Sequence, residues 1–364
     1  MSSRKRHWNL RLFKLSDEAE VMDLFRICFV DTEAKEKLKF DYWTWENKQN
    51  PDGHMIVVAE HAERLVGYFG TIFRRLKLGD KIVKAALSID HMVHPQYRRQ
   101  GMYSSADKLR HDSVEENGAT IFMGFPNAQS RRAHPKEGHQ EIFTIPTMAK
   151  IINFTPVFQA FLRNNSLSWI IGPFMTKFVS IFFRGQRTRI PKNLSINRVS
   201  RFDSRFDKLW ASASKNLRIA GVRDSRRLNW RFIGVPHREY VTLAASVNGE
   251  LQAYVVLRIV ERRGMPFGLL VDMLAASEAD EALLALINIS EAFFLSKKVA
   301  GILCIMLPGW YSKILRQAGF IRLPKRLERT EWVIMVNFLD PAIDNEFFKN
   351  PRNWHMTYED TDVL

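Results

Sequence analysis

The chain has 364 residues, too many for one ordinary hydrophobic core, and 46% of them are apolar, which excludes a disordered protein. Its net charge of +15 favours an anionic partner such as a phosphate compound, a nucleic acid or a membrane surface. The two cysteines, Cys28 and Cys304, lie far apart without metal-ligand spacing, so we expect a cytoplasmic protein with neither a disulfide framework nor a metal site.

The predicted elements occur twice along the chain in the same order. Trp45 stands six residues before a proline, as does Trp230, and each pair precedes two strands joined by a polar turn. Each half continues with an apolar strand that contains one aspartate, Asp90 or Asp272, then a helical pattern, a second apolar strand and a closing strand. The sequence therefore predicts an α/β (α+β) chain with two units of similar plan.

A separate segment, residues 152–194, joins a first unit at 1–151 to a second unit at 195–364. The segment is apolar and aromatic, with flanking arginines and a break at Gly172-Pro173. One interpretation is a pair of short helices that cover the joint between the units. The other is an interfacial hairpin in which residues 155–190 contact the anionic inner face of a membrane, so that the protein is peripheral to it.

The stretch "VHPQYRRQGMYSSADKL" (93–109) joins a predicted strand to a predicted helix. A helix N-terminus offers free N–H groups and the positive end of the helix dipole. Gly101 leaves the backbone open to a ligand, and Arg98 and Arg99 add positive charge beside it. The pattern indicates a phosphate or pyrophosphate site. The alternative is a solvated basic turn in which the glycine serves only the backbone geometry.

This stretch resembles the coenzyme-A-binding segment of the GNAT acyltransferase superfamily. The pattern of that segment is Arg or Gln, two residues, Gly, one residue, then Gly or Ala. Arg98 and Gly101 match the pattern, whereas Tyr103 departs from it. The resemblance implies two GNAT-like mixed-sheet domains in tandem, similar to those of sugar and cell-envelope pathways, with acetyl-CoA or another acyl-CoA as the co-substrate.

The resemblance also implies how an acyl-CoA is held. The pantetheine would enter a gap beside the strand at about 84–94 and pair with its backbone, Val93 included. The N–H groups near Arg99, Gly101 and Met102 would bind the phosphates. A second motif, "PNAQS", resembles a variant found in tandem acyltransferases. Its Asn127 and Ser130 would bind the amide arm of coenzyme A, cap the next helix, or do both.

Amine acylation needs a base for the ammonium and an acid for the leaving thiolate. Asp90 and His91 lie on the strand beside the expected gap, and one of them must face it because strand side chains alternate. The alternative for Asp90 is an internal hydrogen bond. His134 stands four residues before Gly138, where many GNAT enzymes carry a tyrosine that acts as the acid for the thiolate. The alternative is that His134 is a surface histidine. The carboxylate of Leu364 resembles the C-terminal base of some relatives, the alternative being a tail that only docks.

The second half lacks the basic turn. Acidic residues, Glu278, Asp280 and Glu281, occupy the matching helix start, where they would repel phosphate. We therefore expect a degenerate second domain that does not hold coenzyme A and that supplies structure and part of the acceptor pocket.

These observations favour an acyl-CoA-dependent N-acyltransferase that acts on a small amine, such as an amino sugar in polysaccharide or cell-envelope biosynthesis. One alternative is an aminoacyl-tRNA-dependent peptidoglycan ligase, which the intact coenzyme A turn disfavours. The other is a non-enzymatic, basic nucleic-acid-binding module. Its arginines are scattered and match no recognised motif, so nucleic acid is the less favoured partner.

Overall fold

The computed structural model of the protein describes residues 8–29, 35–127, 130–132, 138–155, 193–262, 264–328 and 330–361. The strands are β1 (Asn9–Leu12), β2 (His54–His61), β3 (Arg64–Leu78), β4 (Lys81–Val93), β5 (Ile121–Gly124), β6 (Gln140–Ile145), β7 (Thr147–Ile151), β8 (Leu194–Val199), β9 (Ile219–Gly221), β10 (Val241–Val247), β11 (Glu250–Arg262), β12 (Met265–Ala275), β13 (Gly301–Ile305), β14 (Ile321–Arg322), β15 (Trp332–Phe338) and β16 (Trp354–His355). The α-helices are α1 (Glu18–Cys28), α2 (Phe40–Glu46), α3 (Met102–Glu116), α4 (Ser204–Ala213), α5 (Ser225–Leu228), α6 (Asp280–Ser296), α7 (Trp310–Gln317) and α8 (Asn345–Lys349).

Two compact units make up the chain, and neither is one continuous half of the sequence. The first unit draws on residues 1–144, 234–238 and 332–349. The second draws on residues 145–233, 239–331 and 350–364. Each unit contains a mixed β-sheet, so the predicted α/β class with two mixed sheets is confirmed. The units differ from the predicted ranges 1–151 and 195–364 because each includes segments from both halves.

The sheet of the first unit has the strand order β1-β2-β3-β4-β5-β15-β6. The pair β4–β5 is parallel, while β2–β3, β3–β4 and β5–β15 are antiparallel. Apolar residues of α1, such as Phe25, pack with Tyr68 and Met92 on one face of the sheet. Apolar residues of α3, such as Met102, pack with Phe69 on the other face. Alternation along the strands thus gives the sheet two apolar faces, each covered by helix.

The sheet of the second unit has the order β14-β7-β13-β12-β11-β10-β8, with the parallel pair β12–β13 near its centre. Helices α6 and α7 pack on this sheet and form one apolar cluster with it. The strands that the sequence repeat brings into correspondence, β2–β5 in the first unit and β10–β13 in the second, occupy the same order in the two sheets. The predicted repeat therefore describes two units of similar plan.

The closing strands of the two halves are exchanged between the units. The predicted strand "EIFTIPTMAKI" forms β6 in the first sheet and β7 in the second, with Pro146 between them. β7 pairs with β13, and β15, from the second half of the sequence, pairs with β5. Pro146 has no N–H to donate, so the ladder is interrupted there and the chain can change sheets.

A buried ion network lies in the second unit. Arg223 donates to Asp272 Oδ1 at 3.1 Å and to Asp360 Oδ2 at 2.6 Å. Tyr254 donates to Asp272 Oδ2 at 2.6 Å. Asp360 belongs to the C-terminal tail, in which Tyr358 is also buried. The tail is thus docked through a buried charge, and Asp272 has the internal structural role that was the alternative interpretation for its counterpart Asp90.

Among the described residues, no helix is both long and apolar enough to cross a membrane. The segment for which we predicted membrane contact, 155–190, lies outside the described residues beyond Thr155.

Candidate active site

Strands β4 and β5 part midway along β4. In the described residues, β5 pairs with β4 from Ala85 to Leu87, opposite Ile121 to Met123. β5 ends one residue later at Gly124, whereas β4 continues to Val93. The end of β5 approaches β4 closely, since a Cβ on Gly124 would lie 3.3 Å from the Ser88 Cβ. Among the described residues, no strand pairs with β4 on this side beyond Leu87; we call this edge of β4 the gap, since its backbone groups can meet a ligand there.

Asp90 forms a β-bulge in β4 next to this gap. Tyr68 of β3 pairs with Met92, but Gly70 pairs with Ile89, so Asp90 and His91 together lie opposite one residue of β3. Asp90 has a φ of 47°, in the left-handed region that aspartate tolerates better than most residues. The bulge sends the two side chains to opposite faces of the sheet, since Asp90 contacts Lys37 and His91 contacts Tyr103 of α3.

The Asp90 carboxylate belongs to a buried cluster with Lys37 and Glu46. Lys37 Nζ lies 2.6 Å from Asp90 Oδ1 and 3.9 Å from Glu46 Oε1. Burial raises the pKa of Glu46; the charge of Lys37 opposes this and the charge of Asp90 adds to it, so that the pKa is about 8. Glu46 is therefore mostly protonated at neutral pH, next to the ion pair of Asp90 and Lys37.

A tyrosine closes this cluster on the side of β3. The Tyr68 hydroxyl accepts from Trp43 Nε1 at 3.1 Å and donates to Asn47 Oδ1 at 3.3 Å. Burial, followed by the charge of Asp90, raises the pKa of Tyr68 well above its ordinary value, so the phenol is neutral at physiological pH. Tyr68 is therefore an uncharged side chain whose position is fixed by its two hydrogen bonds.

Sequence reasoning missed Lys37 and Glu46. Lys37 lies in the 3₁₀ turn Lys35–Leu38, and Glu46 is the last residue of α2. A signal was present: Glu46 is an acidic residue within the aromatic run "YWTWEN", whose neighbours Trp43 and Trp45 are buried. A glutamate in such a setting is rarely buried unless its carboxyl group is paired.

His91 lies in a separate hydrogen-bond chain on the α3 face. Arg110, a buried residue of α3, donates from Nη2 to Ser88 Oγ at 2.6 Å, and Ser88 Oγ lies 2.8 Å from His91 Nε2. Ser88 thus links the Arg110 guanidinium to the His91 ring. The His91 ring also packs against Phe69 and Tyr103. These contacts hold the His91 ring against α3.

Hydrogen bonds of its own side chains fix the basic turn between β4 and α3. His94 Nδ1 accepts from Gln96 N at 3.4 Å and begins the 3₁₀ turn Pro95–Tyr97. Tyr97 Oη lies 2.7 Å from His61 Nδ1 of β2. The turn is therefore anchored to the sheet before it reaches the helix.

The start of α3 leaves backbone N–H groups without helical acceptors. Gly101 is its N-cap, with a φ of 75°, and the first helical hydrogen bond runs from Ser105 N–H to the Gly101 carbonyl. Arg99 also has a positive φ of 63°, and both residues are exposed. A Cβ at Gly101 would meet no atom within 4 Å. Donors of the first turn of α3, Met102 included, thus face an open approach, with no acidic side chain in that turn.

The two arginines of the turn differ in their contacts. Arg98 Nε donates to the Val93 carbonyl at 3.1 Å, and Cys28 Sγ lies 3.6 Å from the same oxygen. The Val93 carbonyl is therefore already engaged by side chains of the protein. Within the described part of the chain, the Arg99 guanidinium has no hydrogen-bond or ion-pair partner, so its charge is available to a ligand.

Two of the remaining predicted site residues, Asn127 and Ser130, lie in the turn that follows β5. Asn127 Oδ1 accepts from Ser130 N at 2.9 Å and from Ser130 Oγ at 3.0 Å, so Asn127 caps the 3₁₀ turn Ser130–Arg132. His134 and Leu364 lie outside the described residues. The described residues hold no group of three or more side chains placed to bind a metal ion.

Comparisons with known proteins agree with this geometry. The family described as acetyltransferase (GNAT) domain matches residues 9–132, which include β4, the basic turn and α3. No curated protein matches the chain.

Solved structures share the fold over nearly the whole chain. A probable N-acyltransferase of unknown function from Enterococcus faecalis is 12% identical, with a TM-score of 0.64 over 92% of this chain and 73% of its own. A GCN5-related N-acetyltransferase from Kribbella flavida is 14% identical, with a TM-score of 0.62 over 92% and 72%. N-myristoyltransferase from Saccharomyces cerevisiae, with bound myristoyl-CoA, is 11% identical, with a TM-score of 0.57 over 91% and 82%. The predicted resemblance is confirmed: residues 9–132 match the acetyltransferase (GNAT) domain family, and the chain shares the fold of solved structures described as N-acyltransferases.

Proposed function

We propose that the protein transfers an acyl group, acetyl in the first instance, from coenzyme A to the amine of a small acceptor such as an amino sugar. The observation that carries this proposal is the gap beside β4 directly before a basic turn whose helix N-terminus is open. The gap can take the arm of coenzyme A that ends in the thioester, and the open helix N-terminus can bind its diphosphate.

In this proposal the acyl donor lies within the first unit. The N–H groups at Gly101 and Met102 bind the pyrophosphate, with Arg99 adding charge and Arg98 fixing the end of β4. The pantetheine pairs with β4 between Ser88 and Val93, which brings the thioester to the bulge. The donor site then depends on residues of 1–151, in keeping with the domain that the sequence predicts.

The chemistry that this arrangement supports is direct transfer. The acceptor loses a proton from its ammonium to the Asp90–Glu46 pair, directly or through water, and its nitrogen attacks the thioester carbonyl. A C–N bond forms, the C–S bond breaks, and the thiolate of coenzyme A takes a proton. We propose His134 as the source of that proton, with Asn127 and Ser130 near the amide arm and Leu364 as a further candidate base.

The raised pKa of Glu46, which lies beside Asp90, predicts a pH dependence. Because the deprotonated pair is the stronger base, kcat/KM is expected to rise with pH through an apparent pKa near 8. Glu46→Gln, which keeps a donor for Asp90 but does not titrate, is expected to lose this rise.

The same substitution has a check in stability. A carboxyl whose pKa is raised on folding stabilises the protein below its unfolded pKa, and this contribution is lost as pH rises through about 8. The melting temperature of Glu46→Gln should therefore fall less than that of the wild type between pH 6 and 9. Identical pH–rate profiles for the two proteins would contradict the assigned role of Glu46.

The substrate class is tested by incubating the protein with labelled acetyl-CoA and panels of amino sugars, amino acids and polyamines. We expect transfer to an amino sugar and none by Asp90→Asn. Transfer only from long-chain acyl-CoA, or only to another acceptor class, would replace the acyl or acceptor assignment. Absence of transfer to any amine, together with a tight complex with tRNA, would overturn the proposal.

A further inference from the structure

The second unit repeats the parted strands but surrounds them with different chemistry. β12 pairs with β13 at Gly268 and Leu269 in the described residues, and β12 then continues to Ala275. A cavity of about 380 Å³ lies at the ends of these strands, lined by Ala275, by Met306 after β13, and by residues of α7 and the C-terminal tail. Its volume is in the range of small-molecule sites.

The cavity has aromatic walls. The Tyr311 and His355 rings lie 4.2 Å apart between centroids, and the Trp310 ring meets Tyr311 edge-on at 4.7 Å. Trp354, from the tail, is a further lining residue. Such walls favour a ligand with a flat or apolar body.

The charged lining residues fall into engaged and available groups. Asp280 accepts from Trp310 Nε1 at 3.1 Å, and Arg218 donates to Asn353 Oδ1 at 3.0 Å. Glu278 and Arg352 are exposed, and within the described residues neither side chain has a hydrogen-bond or ion-pair partner. The rim therefore offers one carboxylate and one guanidinium, which complement a ligand that carries both an ammonium and a carboxylate.

One buried acceptor of the lining also lacks a donor. His355 is 3% exposed, and its Nε2 lies 3.0 Å from the Met273 carbonyl, so Nε2 carries the proton. Burial holds the pKa of His355 well below its ordinary value, which keeps the ring neutral and makes Nδ1 an acceptor. Nδ1 is buried with no partner among the described residues. The His355 ring is therefore a buried and neutral part of the cavity wall.

We propose that this cavity is a binding site for a small zwitterion with an apolar body, of the amino-acid class, with its ammonium at Glu278 and its carboxylate at Arg352. A nucleotide fits poorly, because Asp280 begins α6 and neutralises the helix N-terminus that a phosphate would need. The site is distinct from the proposed acyl-donor site and does not rest on it.

The test uses three probes and two surface variants of the full chain. The probes are L-phenylalanine, phenethylamine, which lacks the carboxylate, and 3-phenylpropionate, which lacks the amine. Calorimetry on the wild type should show the strongest binding for phenylalanine. Glu278→Gln should weaken phenylalanine and phenethylamine severalfold and spare 3-phenylpropionate. Arg352→Gln should weaken phenylalanine and 3-phenylpropionate and spare phenethylamine.

Two results would overturn the proposal: phenylalanine binding no better than either fragment, or an affinity for phenylalanine unchanged in both variants. Coenzyme A titrations of the same variants keep the two sites apart, because neither residue belongs to the first unit. If the wild type did not bind coenzyme A but the three probes bound as expected, only the acyl-transfer proposal would be refuted.

Discussion

Replacing Asp90 with asparagine is expected to lower kcat by about 10²–10³-fold at pH 7.5, the scale of losing a general base. Asparagine tolerates the positive φ of 47° at this bulge, so the backbone of β4 should persist. The amide cannot take the proton of the acceptor. The measurement is steady-state kinetics with labelled acetyl-CoA, at a temperature below the melting point of the variant.

The loss must be separated from a loss of stability, since Asp90→Asn leaves Lys37 without its close partner. Affinity for coenzyme A, measured in parallel, should be nearly unchanged. Asp272→Asn is the matched control, because Asp272 is the buried counterpart of Asp90 in the second unit and is bonded to Arg223. We expect it to lower the melting temperature but not the kcat of the folded protein. Equal kcat values for Asp90→Asn and the wild type would show that Asp90 is not the base, which leaves His91 and the C-terminal tail as candidates.

Gly101→Val is expected to weaken coenzyme A binding by at least about tenfold, since a loss of 1.4 kcal/mol already corresponds to that factor. Valine disfavours the φ of 75° and places methyl groups on the open side of the helix N-terminus. The free protein has room for the side chain, as a Cβ there meets nothing within 4 Å. The loss should therefore appear in binding measured by calorimetry.

Gly79→Val is the matched control for that substitution. Gly79 lies in the turn between β3 and β4, has a φ of 59°, and also has open space around its Cβ position. The two variants share the backbone strain, but only Gly101 lies on the proposed route of the diphosphate. An equal loss of coenzyme A affinity in both variants would show that strain, and not access to the amides, explains the effect.

The strand, turn and helix start of the proposed donor site were predictable from sequence because these parts are local. One strand, one basic turn and one helix start follow each other within 93–109, and their chemistry depends on backbone geometry that glycine and arginine report directly. The partners of Asp90 were not predictable in this way. Lys37 and Glu46 precede it by 53 and 44 positions (90 − 37 and 90 − 46), and the bulge that aims Asp90 at them is a tertiary feature.

The exchange of closing strands between the two units could not be predicted from the sequence, for a related reason. β7 and β15 have the alternation and apolar content of any closing strand, and nothing local states which sheet each one joins. Pro146 marks the position where the chain leaves the first sheet, but proline alone is equally consistent with a turn. An internal hydrogen bond was one of the two alternatives for Asp90, and its counterpart Asp272 has such a role through Arg223 in the second unit.

The central claim is that the amides of residues 99–102, with the Arg99 guanidinium, bind a diphosphate beside the gap of β4, while Arg98 fixes the end of that strand. The most direct measurement is a calorimetric comparison of coenzyme A with pantetheine, which lacks the phosphates, on the wild type and on the double variant Arg98→Ala/Arg99→Ala. Our account predicts saturable coenzyme A binding that the double variant weakens by at least about tenfold, with pantetheine affected much less. Equal losses for both ligands, or no binding of coenzyme A to the wild type, would contradict it.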